Sequence, residues 1–179
     1  MNHDKISILG ISGSLRLNSS ASTVLHIVSG LFPDHVDFLI YKGLEHIPAF
    51  NDSEAAPPVV SSFIQSIEKA DAVFFCIPEY AFGVPGALKN ALDWTVSSTA
   101  FSNKPTALIT AASSGDKAHA ALLLTLTALG ANIPDSARLL LPFIRTRLTE
   151  RGEIKDADTL LKIKDQCRSL LEIISTGNS

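Results

Sequence analysis

A chain of 179 residues with 46% hydrophobic and 18% charged residues has the size and composition of one folded domain spanning 1–179. At this length folding removes roughly 70% of the surface that the unfolded chain exposes, enough for a substantial core. A net charge of -3 with no cluster of Lys or Arg argues against a nucleic-acid partner or an anionic membrane surface.

The elements follow in chain order. The N-terminal Met1-Asn2-His3-Asp4-Lys5 is polar and has no signal-peptide character. Lys5 to Ile11 reads as a buried strand, and a polar loop leads to a helix from about Ser22 to Leu31. Val36 to Tyr41 is a second strand, and a long loop rich in Pro, Asn and Asp precedes a helix over Pro58 to Lys69. Asp71 to Ile77 is a third strand, continuously apolar, and Gly86 to about Val96 a third helix. Pro105 to Ala112 is a strand, Asp116 to Leu129 a helix, and Ala137 to Leu141 a short fifth strand. Phe143 to Lys155 reads as a hairpin-like excursion, and Asp156 to Ile174 closes the chain as an amphipathic helix. Strands alternating with helices imply βαβ units and a parallel sheet. Strands apolar on both faces imply helices on both sides. The expected fold is therefore α/β, a doubly wound five-stranded parallel sheet of order 2-1-3-4-5.

Two exclusions narrow the chemistry. The histidines His3, His26, His35, His46 and His119 form no i, i+4 pair and no HExxH, so no metal site is expected. Cys76 and Cys167 fit no CxxC spacing; Cys76 lies in an apolar run and reads as an inert buried thiol, which favours a reducing, cytoplasmic setting. The most apolar stretch, Ala118 to Leu129, is too short to span a bilayer. It is nonetheless apolar nearly all round, so a partner subunit is its natural cover.

In open α/β sheets ligands bind beyond the carboxyl ends of the strands, which directs attention to three loops. The first runs Gly10-Ile11-Ser12-Gly13-Ser14-Leu15-Arg16-Leu17-Asn18-Ser19-Ser20-Ala21-Ser22. It is neither GxGxxG nor GxxxxGK[ST], so it carries no dinucleotide or nucleoside-triphosphate fingerprint. It does carry small residues, hydroxyls, one guanidinium and a helix start, the means of holding a phosphate monoester. The same residues also suit an ordinary turn with a helix N-cap. The second loop, Pro78-Glu79-Tyr80-Ala81-Phe82-Gly83-Val84-Pro85-Gly86, sets two aromatics among stiffening Pro and permissive Gly. Tyr80 or Phe82 either lies against a planar ligand or caps the core. The third loop, Ala112-Ser113-Ser114-Gly115-Asp116-Lys117, offers backbone amides, and Asp116 is equally a plain helix-start charge. No GxSxG elbow is present.

Taken together, the loops resemble those of the NADPH-dependent FMN reductase family, whose relatives include azoreductases, quinone reductases and chromate reductases. The most specific match is Pro78-Glu79-Tyr80 followed by Gly83-Val84-Pro85-Gly86-Ala87-Leu88-Lys89-Asn90-Ala91-Leu92-Asp93-Trp94. Gly13-Ser14-Leu15-Arg16 followed by Ser19 resembles the family's phosphate loop. The resemblance implies a flavodoxin-like fold, non-covalent FMN, NADPH or NADH as co-substrate, and a homodimer or homotetramer. It places Ser14, Arg16 and Ser19 on the FMN phosphate, and Ser12, Ser20, Ala21, Gly83 and Ser114 complete the expected cofactor-binding set. Pro78, Glu79, Tyr80 and Ala81 would border the isoalloxazine, with Ser113 and Gly115 on its other side. The chain departs from the family pattern at Ala21 and Ala81, where the family usually has Asn, and in a shortened stretch after the fourth strand. The implied activity is ping-pong hydride transfer from a nicotinamide to FMN and on to a quinone, azo, metal or flavin acceptor, with no catalytic acid or base. The alternatives are a flavodoxin-type electron carrier and a flavodoxin-like binding module without turnover.

Overall fold

A computed structural model describes residues 5–16, 18–52 and 55–177. Five strands, β1 (Ile6–Ser12), β2 (Val36–Ile40), β3 (Ala72–Ile77), β4 (Thr106–Ala111) and β5 (Arg138–Leu141), form one sheet of order β2-β1-β3-β4-β5. Every adjacent pair is parallel. The expected order and strand direction are both found. The helices are α1 (Ser20–Ser29), α2 (Pro58–Lys69), α3 (Gly86–Asp93), α4 (Asp116–Ala128), the single turn α5 (Ile144–Arg147) and α6 (Ala157–Gly177). Right-handed crossovers put α1 and α6 on one face, where they touch, and α2, α3 and α4 on the other.

The centre of the sheet is dry because its residues are apolar apart from Thr106 and Thr110, whose hydroxyls are hydrogen-bonded. All six residues of β3 and all six of β4 are buried. On the edge strand β2 burial alternates, and Leu39 is 65% exposed. Burial raises both thiols: Cys167 is pushed up to about 12, and Cys76 higher still. Both are free and buried, which for Cys76 is the inert core thiol that the sequence suggests. Gln166, buried on α6, donates to the Leu108 and Ala137 carbonyls and ties the last helix to the sheet.

His119 on α4 is half-buried, with Nδ1 2.8 Å from Thr110 Oγ1. Burial, and then the Arg138 charge, hold its pKa below the ordinary 6.5. The unfolded chain therefore binds the proton more readily, and stability falls as pH drops below about 6.5. His119→Gln should flatten that part of the acid limb in urea melts between pH 7 and 5. An unchanged limb would show that His119 does not contribute to it.

Register decides where the loops meet. Ser12 pairs with Cys76, Ile77 with Thr110, and Ala111 with Leu141. The strand ends are thus nearly level, and the segments following β1, β3, β4 and β5 all emerge on one edge.

Candidate cofactor site

At this edge lies a cleft of about 1150 Å3. One wall is the start of α1. Ser19 is its N-cap, its Oγ accepting from Ser22 N at 3.0 Å. Thr23 N donates to the Ser19 carbonyl. The amides of Ser20 and Ala21, the first two of the helix, are left without an intrahelical acceptor and point to the end of the helix where anions are favoured. Ser22 fixes the hydroxyl cluster: its Oγ lies 2.9 Å from Ser12 Oγ and 2.8 Å from Ser19 Oγ. Arg16 is exposed, lines the cleft, and its guanidinium has no partner among the described residues.

Ala21 does not reach the cleft with its side chain. Its methyl is fully buried against the core, so only its amide is available to a ligand. Helical phase is the reason: a helix starting at Ser20 turns position 21 toward the sheet. Ser12 and Ser14 border a smaller hollow of about 400 Å3 on the other side of the same loop.

Pro78, Glu79 and Tyr80 form the second wall. Tyr80 Oη lies 2.9 Å from Ser14 Oγ, which in turn accepts from Arg16 N at 3.2 Å. The loop after β1 and the aromatic loop are thereby tied. Glu79 reaches across to the third loop, accepting from Gly115 N at 3.3 Å and Ala118 N at 2.9 Å. Its carboxylate thus caps α4, the favourable place for a negative charge. Ser113 lines the cleft, whereas Ser114 Oγ donates to Asp116 Oδ1 at 2.9 Å and Gly115 is buried. Ser114 and Gly115 therefore shape the third wall from behind it.

The tip of the aromatic loop is strained. Tyr80 and Gly83 exchange both backbone hydrogen bonds, at 3.1 and 2.9 Å, around Ala81 (φ 48°) and Phe82 (φ 59°). Two central residues at positive φ make a type I′ turn, which favours Asn-Gly. Ala81 and Phe82 pay the left-handed penalty, about 1–2 kcal/mol each, and the turn holds Phe82 78% exposed beside the cleft. Ala81→Asn with Phe82→Gly should raise stability by about 1–2 kcal/mol, read as a higher denaturation midpoint. An unchanged or lower midpoint would mean that Phe82 packs on something that offsets the strain.

A fourth wall comes from residues that carry no loop motif. After β5 the chain makes α5 and then a small hairpin in which Leu148 pairs with Ile154. Arg145, Leu148, Thr149, Glu150, Arg151 and Gly152 of this excursion face the cleft. The hairpin itself was legible; its place against α1, with Gly152 beside Thr23, was not.

The arrangement suits a phosphorylated planar ligand: free helix amides and a guanidinium at one end, and proline, an aromatic and backbone at the other. The chain belongs to the NADPH-dependent FMN reductase family, whose profile matches residues 6–145. It is 40% identical over 111 residues to an NAD(P)H-dependent FMN reductase of Pseudomonas aeruginosa, covering 59% of this chain and 60% of that protein. It is 36% identical over 109 residues to a quinone reductase of Pseudomonas putida, covering 58% of each chain. These matches span about three fifths of the relatives' lengths. In fold it is similar to FerB, a flavoenzyme NAD(P)H:(acceptor) oxidoreductase from Paracoccus denitrificans, with a TM-score of 0.82 at 22% identity over 96% of this chain and 98% of that one. Among the described residues no group of His, Cys, Asp or Glu could hold a metal, and no helix is long and apolar enough to cross a membrane.

Proposed function

We propose that this protein binds FMN non-covalently in the cleft and acts as an NAD(P)H-dependent oxidoreductase toward a small-molecule acceptor of the quinone kind. The observation that carries this reading is the phosphate-ready end of the cleft in a chain of the FMN reductase family: free Ser20 and Ala21 amides and the unpartnered Arg16, facing Pro78 to Tyr80. Arg16, Ser19, Ser20 and the Ala21 amide would hold the phosphate. Pro78, Tyr80 and Ser113 would border the ring, with Glu79 fixing the loops around it. When bound, FMN supplies the hydride chemistry, accepting two electrons from the nicotinamide and passing them on. The protein's part is to position both reactants and to limit water around them. The Glu79 carboxylate, on the wall assigned to the ring, is engaged with the α4 amides. Acceptor protons are accordingly assigned to solvent, and a single shared cleft favours ping-pong alternation of donor and acceptor.

A homodimer or homotetramer built on α4 is part of the same proposal. On that helix Leu122 and Leu126 are buried, yet Leu124 is 74% exposed and Leu123 half-buried. Light scattering at micromolar concentration should give at least twice the mass of 19.1 kDa; a monomer would remove that element. The two free thiols support a reducing, cytoplasmic setting.

The test of function is an FMN titration by flavin fluorescence, followed by NADPH, NADH and a quinone in the same cell. Quenching on binding, bleaching of the flavin band and its return with quinone are expected. Failure to bind FMN would overturn the reading. Binding without bleaching by either nicotinamide would leave an electron carrier.

A further inference from the structure

The walls assigned to the flavin ring carry Pro78, Glu79, Tyr80 and Ser113, of which Glu79 alone is charged. The other charges on the cleft, Arg16, His26, Arg145, Glu150 and Arg151, come from the loop after β1, from α1 and from the segment after β5. Both oxygens of the Glu79 carboxylate are held by backbone amides, Gly115 N donating to Oε1 at 3.3 Å and Ala118 N to Oε2 at 2.9 Å. Among the described residues no Lys, Arg or His forms an ion pair with it.

The charge is also fixed in place. Glu79 follows β3, all of whose residues are buried, and precedes the turn that Tyr80 and Gly83 close with two backbone bonds. The amide of Gly115 is held just as firmly, since the space beside it is filled by Leu140, Thr110 and Ala112. A preorganised charge of this kind acts on a ligand without first having to reorient.

Its effect follows from electrostatics. The first amides of α4 form the positive end of that helix dipole, which by itself would favour negative charge in the cleft. With a carboxylate seated on them that end is neutralised, and the carboxylate repels any further negative charge nearby. Reduction of FMN takes up two electrons and, in its one-proton form, leaves a negative charge on the ring. A fixed, unpaired carboxylate on the wall beside the ring therefore penalises the reduced form relative to the oxidised one. Asp116, the other carboxylate at this helix end, stands differently: it is exposed, accepts from Ser114 Oγ at 2.9 Å, lies 3.3 Å from Lys117 Nζ, and does not line the cleft.

We propose that Glu79 tunes the flavin: its carboxylate, seated on the α4 amides, holds the potential of bound FMN below the value that the same site would give with a neutral side chain, and so makes the reduced flavin a stronger donor to the acceptor. This rests on the FMN reading above, and the experiment keeps the two apart. The FMN-loaded protein is equilibrated anaerobically with a reference dye, and absorbance gives the ratio of reduced to oxidised flavin at a fixed potential. Flavin fluorescence gives the affinity for oxidised FMN. Glu79→Gln, which has the same shape and keeps one oxygen to accept from an α4 amide, should raise the ratio roughly tenfold, an upward shift of about 30 mV for two electrons. Its affinity for oxidised FMN should change less than about threefold, because the lost charge acts mainly on the reduced ring. Glu79→Asp keeps the charge, and Asp116→Asn removes one that is paired and off the cleft; both ratios should stay within about twofold of wild type. An unchanged or lower ratio in Glu79→Gln would overturn the proposal. An equal rise in Glu79→Asp would do the same, by tracing the effect to a displaced loop, as would an equal rise in Asp116→Asn. Failure of the wild-type protein to bind FMN would overturn this proposal and the reductase reading together, whereas binding with a ratio indifferent to Glu79 would overturn this one alone.

Discussion

Replacing Arg16 by alanine is expected to weaken FMN binding roughly tenfold, about 1.5 kcal/mol, with little change in thermal stability. The two readouts separate because of what Arg16 touches. Its guanidinium is exposed and bonds to nothing among the described residues, so its loss leaves no buried group there unpaired. Toward a phosphate dianion it can donate two parallel N–H bonds, which a lysine cannot reproduce. Arg16→Lys should therefore recover only part of the affinity, and that part should fade as salt rises. Equal FMN affinity in Arg16→Ala and wild type would remove Arg16 from the phosphate site and shift the anchor to the α1 amides alone.

Gly115→Ala should have the largest effect on the fold, about 3 kcal/mol, lowering the melting temperature by about 6–12 °C. Gly115 has φ +96°, where an L side chain is strained. Space is also lacking: an added Cβ would lie 2.9 Å from Leu140 Cδ1, 3.0 Å from Thr110 Cγ2 and 3.2 Å from Ala112 Cβ. Two of these atoms belong to β4 and β5, so relief requires the loop to lift from the sheet. That lift would draw the Gly115 amide from Glu79 and loosen the wall carrying Ser113. FMN affinity should drop along with stability. A melting temperature within about 2 °C of wild type would show that the loop relaxes without strain.

These cases also mark what was legible in the sequence. Strands β3 and β4 announce themselves because every residue is apolar or small, as only a strand covered on both faces requires. Alternation with helices then leaves few possible orders, and the observed one followed. The α1 boundary was less legible, because Ser19, Ser20 and Ser22 all suit an N-cap. The Ser19 bond to Ser22 N decides it and starts the helix two residues before the expected Ser22. That shift determines that Ala21 faces the core. Within the site, contacts within a loop were readable from composition, but those between loops were not. Glu79 meets its amide partners 36 and 39 residues away. Arg145 and Arg151 reach the cleft only because Leu141 pairs with Ala111, a consequence of sheet register with no local pattern.

The dry centre of the sheet has a consequence for motion. With all of β3 and β4 buried, their amides can exchange with solvent only when the whole domain opens. The hairpin, the 80–83 turn and the loop before α1 are largely surface and can open locally at lower free energy. Hydrogen exchange should therefore grade the cleft by depth, slowest at the β3 and β4 ends beneath it and fastest at the rim. Ligands would thus be held by walls that open and close on a floor that does not.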